Sequence, residues 1–221
     1  MINAGAIMSA SLVGRNLPAY QRFGRVQNVC SRLFAGRKAG FDNGVYLSEK
    51  GTADRNFALG YMMKEAGAFM EGVNLTETLE LYFQQCSLEA NTDKMALMAA
   101  TYANGGVNPL TGDTIFEPAT VRNVLSLMAT CGMYDYSGEW NFRVGLPAKS
   151  GVSGAIWVVV PNVGGFCSYS PPVDAQGNSR KGVEFFKALS KEYAFHLLEP
   201  KRCQGLKSDP TGPLQSLGKL I

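Results

Sequence analysis

Apolar positions along this chain fall first into helical periods and only later into strand-like runs. From Pro18 to Phe34 they recur as Tyr20, Phe23, Cys30, Leu33 and Phe34, which predicts an amphipathic helix with its arginines on the wet face. Residues 3–14 ahead of it are small and apolar, suited to close backbone packing. Gly36 to Gly44 breaks the pattern, and Ser48-Glu49-Lys50-Gly51 reads as a polar loop. Thr52 then stands where it could cap a helix over 53–66 that Gly67 stops. The clearest helix follows. Asn74 with Glu77 three residues on resembles a capping box, and Leu75, Leu79, Tyr82, Phe83 and Cys86 line one face. Asn91 or Thr92 opens another helix with Met95, Met98, Ala99 and Tyr102 inward, ended by Asn104-Gly105-Gly106. Pro118 sits in the first turn of a helix that runs to Thr130 and stops at Gly132.

The pattern then changes period. Ala155 to Val160 is a continuous apolar, β-branched run, which predicts a strand buried on both faces. Pro147 stiffens its entry, and Lys149-Ser150-Gly151 reads as a polar turn at its mouth. Residues 165–170 form a second strand, close enough for a hairpin through Asn162. Ser179 caps a last helix to Tyr193, with Val183, Phe186, Leu189 and Tyr193 inward. A helical block, a hairpin and a final helix make an α+β chain rather than an alternating one. From Pro200 onward the sequence is polar and punctuated by Pro and Gly.

Composition narrows the function classes. With 221 residues and 46% hydrophobic content the chain is one ordinary domain or two small ones. A net charge of +3 is too weak to imply nucleic acid, although Arg15, Arg22, Arg25, Arg32, Arg37 and Lys38 stand in a first stretch of forty residues that holds no acid. The five cysteines have no ligand spacing and read as reduced thiols of an intracellular protein. No apolar run approaches the ~18 residues a membrane helix needs. The single histidine, His196, lies at the end of the last helix, which disfavours a Ser-His-Asp triad and a zinc site alike. No glycine-rich phosphate loop occurs, and neither a metal nor a cofactor is expected. Hydroxyl, lysine and tyrosine chemistry remains, which suits acyl transfer by a serine activated without histidine.

An ordered series of motifs carries a resemblance. Asn3-Ala-Gly-Ala-Ile7, Asp54-Arg-Asn-Phe57, Tyr82-Phe-x-x-Cys86-Ser87, Cys131-Gly-Met-Tyr-Asp135, Gly145-Leu-Pro-Ala-Lys-Ser-Gly-Val152 and Gly177-Asn-Ser179 occur in the order found in glutaminases, serine-dependent enzymes that hydrolyse L-glutamine to L-glutamate and ammonia. The resemblance covers residues 2–196 and implies the serine β-lactamase and transpeptidase-like fold, an antiparallel sheet with a helical subdomain. It implies that Asn3, Glu49, Asn56 and Tyr82 contact substrate, that Tyr134 shuttles protons, and that the Val152 N–H holds the oxyanion. An acid facing the α-amino group and amides facing the α-carboxylate are what a free amino acid requires. Taken singly, each has a plainer use: Tyr82 lies on an apolar face, and Glu49 stands in a polar loop. A lysine beside Tyr134 leads one to expect a phenol pulled below its usual ~10.

One departure stands out. The family's Ser-x-x-Lys lies upstream of Asn3-Ala-Gly-Ala-Ile7, so the expectation is a glutaminase domain over 1–196 lacking its N-terminal nucleophile segment and part of its sheet, inactive alone, with a loose tail over 197–221. Ser216-Leu-Gly-Lys219 in that tail reads as coincidence. The alternative is a non-catalytic subunit that co-assembles with complete ones through the helix of Phe57 and Tyr61. A β-lactamase-like hydrolase of another amide keeps the fold and changes the substrate. The resemblance further implies a homo-oligomer, dimer or tetramer, with no nucleic-acid or membrane partner, mitochondrial if of animal type and otherwise cytoplasmic.

Overall fold

The structure, a computed structural model, describes residues 2–199, which group into two compact units dividing after Lys94. The first unit contains α1 (Asn3–Leu12), α2 (Ala19–Leu33), α3 (Asn43–Gly51), α4 (Asp54–Glu65) and α5 (Leu75–Cys86). Strands β1 (Gly40–Phe41) and β2 (Leu88–Glu89) pair antiparallel within it. The other four helices all pack on α5. The reason is its sequence: Leu75, Leu79, Leu81, Tyr82 and Phe83 are all buried, and Ile7, Ala10 and Ala53 close over them. The N-cap half of the capping box forms, the Glu77 N–H donating to Asn74 Oδ1 at 3.3 Å, while the Glu77 carboxylate accepts from the side-chain amide of Asn74, Nδ2 to Oε1 at 3.2 Å. Replacing Asn74 by alanine should cost about 1 kcal/mol, read as a lower denaturation midpoint with an unchanged slope.

Several expectations need correction here. The small stretch at 3–14 packs closely as expected, and as far as Leu12 it does so as helix α1, lying on α5. Tyr20 is 75% exposed, whereas Arg22, expected on the wet face, is 6% exposed. Arg22 turns inward because α1 ends there, where the last carbonyls of a helix have acceptor capacity to spare: its Nε and Nη2 donate to Val13 O and Ala10 O, each at 2.8 Å. Ser48 to Gly51 is the last part of α3, not a loop. Asp42, whose side chain accepts from the Val45 N–H at 3.0 Å, starts that helix. Thr52 does not cap α4; its hydroxyl donates back to Ser48 O at 2.9 Å and closes α3 instead. Cys86 is exposed rather than inward.

The second unit takes up the chain within α6 (Thr92–Ala103) and continues with α7 (Pro118–Cys131), a 3-10 turn at Tyr134–Tyr136 and α8 (Ser137–Arg143). Strands β3 (Ala148–Ser150), β4 (Ala155–Val160) and β5 (Gly164–Tyr169) form an antiparallel sheet in that order, and α9 (Arg180–Glu192) follows. On α6 it is Leu97, Ala99, Thr101 and Ala103 that are buried, while Met95 and Met98 are half-buried. The hairpin forms as expected, with Asn162 at φ 63° in its turn. Lys149-Ser150 is strand rather than turn: Lys149 pairs with Trp157 and Ser150 with Ile156. A three-residue strand is too short to show a period. Ile156 and Val158 of β4 meet Trp140, Val144 and Phe186 in the core. Ser179 caps α9, accepting from the Gly182 N–H at 3.2 Å. Among the described residues no helix is long and apolar enough to cross a membrane.

Candidate active site

The six residues singled out by sequence divide between the units: Asn3, Glu49, Asn56 and Tyr82 lie in the first, Tyr134 and Val152 in the second. In the first unit, α1 and α4 pack together and bring Asn3 to Asn56, whose Oδ1 accepts from Asn3 Nδ2 at 2.9 Å. Asn3 is exposed at the start of α1 and Asn56 is 9% exposed in the first turn of α4. One bond between two amides leaves each with further donor and acceptor capacity. Tyr82 belongs to the core cluster and packs edge-on to Phe83, 5.8 Å between ring centres. Desolvation pushes the Cys86 thiol, one turn along, above its ordinary value; Tyr82 acts against that shift and Glu49, half-buried on α3, adds to it. Cys86 therefore stands near both Tyr82 and Glu49, a neighbour to which the motif series gives no role.

The second unit builds its cluster on β3. Gly132 ends α7 so close to this strand that a Cβ there would stand 1.7 Å from Ala148 O, and its own carbonyl accepts from the Ser150 N–H at 3.0 Å. The chain then turns at Tyr134, which has φ +55°, a left-handed conformation that costs a non-glycine residue about 1–2 kcal/mol. Surrounding bonds hold it there. Asn178 Nδ2 donates to Met133 O at 3.3 Å, and the Ser137 hydroxyl donates to Tyr134 O at 2.6 Å. The strain thus aims the phenol at β3, where its hydroxyl donates to Ser150 O at 3.1 Å.

Lys149 donates to that same carbonyl, and its ammonium stands 4.5 Å from the centre of the Tyr134 ring. Burial pushes the Tyr134 phenol above its ordinary value and pulls the Lys149 ammonium below its own. This reverses the expectation of an acidified tyrosine: desolvation sets the direction of the shift despite the nearby cation. The Ser150 hydroxyl is buried alongside and has no hydrogen-bond partner among the described residues. Val152 follows on an exposed turn, 75% exposed. Its N–H bonds no group among the described residues. Gly177, at φ +90°, lies against the Tyr134 ring and the Val152 side chain. The sequence reading placed Lys149 and Ser150 at the mouth of a strand and gave Gly177 no role. The register with β4 and the left-handed Gly177 are what set them around the phenol.

A helix-flanked antiparallel sheet presenting amine and hydroxyl groups at the end of β3 is the α+β architecture of the serine β-lactamase-like class. Residues 1–198 match the family described as Glutaminase, and the chain belongs to that family. It is similar to the mitochondrial liver isoform of glutaminase from Mus musculus, 46% identical over 210 residues, which covers 95% of this chain and 35% of the relative. It is similar also to a glutaminase of Nostoc sp., 44% identical over 199 residues, covering 90% of this chain and 58% of the relative. Among solved structures it resembles a "Probable glutaminase from Bacillus subtilis complexed with 6-diazo-5-oxo-L-norleucine", with 36% identity, a TM-score of 0.83, and coverage of 89% of this chain and 66% of that one. The chain therefore spans between about a third and two thirds of these relatives.

Proposed function

We propose that this chain supplies the substrate-recognition and proton-handling part of a glutaminase, which hydrolyses L-glutamine to L-glutamate and ammonia through a glutamyl-serine intermediate. The observation that carries this reading is the convergence of Tyr134, Lys149 and the Ser150 carbonyl in one family-matched cluster. In the reaction, a serine of the upstream Ser-x-x-Lys segment attacks the side-chain carbonyl of glutamine. The Val152 N–H holds the oxygen that becomes negative. The tetrahedral adduct collapses, the C–N bond breaks, and the Tyr134 hydroxyl passes a proton to the departing ammonia. Burial keeps that phenol protonated at neutral pH, so it enters the step as a donor and is recharged with the proton that the attacking serine gives up. Water then cleaves the ester, releasing glutamate and the serine.

Recognition falls to the first unit. Glu49 takes the α-amino group, the amides of Asn3 and Asn56 take the α-carboxylate, and Tyr82 adds a hydroxyl. An amino-acid derivative complexed with the Bacillus subtilis relative supports a ligand of this kind. No cofactor is needed. Residues 1–196 form the glutaminase domain, and 197–221 follow it; Ser216-Leu-Gly-Lys219 lies outside the described residues. A homo-oligomer fits α4, whose Phe57 packs inward against Phe83 while Tyr61 and Met62 are 56% and 67% exposed. An intracellular site, mitochondrial if the protein is of animal type, fits the naming of the mouse relative. Ammonia release from L-glutamine, by the protein carrying this chain with its Ser-x-x-Lys segment, tests the reading. Hydrolysis of L-glutamine but not of a D-alanyl peptide supports it, and the reverse preference overturns it.

A further inference from the structure

We infer that Glu80 is a positioning residue, whose carboxylate clamps α3 to α5 and so fixes where Glu49 presents its charge; this rests on the reading of Glu49 as the receptor for the substrate α-amino group. Helix α3 has no fully buried side chain, and its Tyr46 packs only partly buried on the α5 cluster. Its ends are finished by Asp42 and Thr52, but those bonds are local to the helix and do not tie it to α5. The Asp42 N–H, which donates to Ser87 O at 2.9 Å, pins the start of α3 beside the end of α5, and along the body of the helix the tie comes from one carboxylate. Tyr46 Oη donates to Glu80 Oε2 at 2.5 Å, and Lys50 Nζ lies 2.6 Å from Glu80 Oε1.

Both partners come from α3, one turn apart, and the Lys50 ammonium also stands 5.9 Å from the centre of the Tyr46 ring. The three groups brace one another. The Tyr46 ring meets Phe41 at 6.0 Å and packs on the α5 cluster, which places its hydroxyl at the helix boundary. Burial alone would raise the Glu80 carboxyl, but the bonds from Lys50 and Tyr46 outweigh it and hold the group below the usual carboxylate range.

Glu49 lies between the two gripped residues, three positions after Tyr46 and one before Lys50. Each residue of an α-helix advances about 100° around the axis, so gripping positions 46 and 50 sets the azimuth of position 49. With the grip gone, α3 can roll on α5 and swing the Glu49 carboxylate away from Cys86 and Tyr82.

The test uses the wild-type chain with E80Q, E80D and E49Q. Hydrogen exchange is followed over 43–51, and binding is measured for L-glutamate and for glutarate, which lacks only the amino group. E80Q should raise exchange in α3 while α5 keeps its protection. It should cut the preference for L-glutamate over glutarate about tenfold, as E49Q does, with glutarate binding unchanged and partial recovery in E80D. Unchanged α3 exchange in E80Q overturns the clamp. Equal weakening of both ligands, the mark of a merely structural role, overturns it too. Should the wild-type chain itself fail to prefer L-glutamate, the role of Glu49 falls instead, and the exchange over 43–51 alone decides whether the clamp exists.

Discussion

Tyr134→Phe should lower glutamine hydrolysis about 10²- to 10⁴-fold, the usual contribution of a positioned proton-transfer group, with kcat carrying most of the loss. The geometry predicts that the fold barely notices. The substitution removes one hydroxyl, whose only bond among the described residues is the one to Ser150 O, and Lys149 continues to satisfy that carbonyl. A change in stability within about 1 kcal/mol at neutral pH is therefore expected. Alkaline titration gives a second check. The folded chain holds the Tyr134 proton more tightly than the unfolded one, so this group leaves stability unaffected below pH ~10 and lowers it as pH rises through the folded value. The mutant should lose less stability over that window. Full activity in Tyr134→Phe would refute the role given to the phenol.

Gly132→Ala should unfold or severely destabilise the second unit, by about 3 kcal/mol or more. Two effects compete. Alanine improves helix propensity by up to ~1 kcal/mol at the end of α7. Against this, the new methyl would stand 1.7 Å from Ala148 O and 2.6 Å from Met128 O, and both are backbone atoms that no rotamer change can move. The clash wins. Relief requires α7 to lift off β3, which breaks the bond from the Ser150 N–H to Gly132 O and displaces the carbonyl that both Tyr134 and Lys149 address. Differential scanning calorimetry should show a fall in Tm of about 6–12 °C, accompanied by loss of whatever activity Tyr134 supports. A melting point equal to wild type would mean that α7 and β3 are not in contact as described.

The helix positions show why periodic signals succeeded where they did. The stripe Leu75, Leu79, Tyr82, Phe83 and the Asn74–Glu77 pair state the position of α5 locally, and α7 and α9 carry equally local punctuation in Pro118 and Ser179. Short elements escaped notice. Helix α3 has no buried face to give it a period, and β3 has too few residues to alternate. Arg22 was misplaced for a different reason: a guanidinium reads as solvent-facing unless one knows that α1 stops beside it with carbonyls able to accept.

The candidate chemistry divides along the same line. Local order in the chain determined which residue types were available: the motif series from Asn3 to Ser179 marks the family, and the strand from Ala155 to Val160 marks a rigid support for the segment before it. Only the tertiary structure decided how those groups behave. Register with β4 turned Lys149 toward Tyr134, the close approach of Gly132 to β3 fixed where the phenol points, and burial set its proton affinity in the direction opposite to the one its neighbouring lysine suggests. Desolvation and strand register depend on residues distant in sequence, so neither can be read from the order of residues alone.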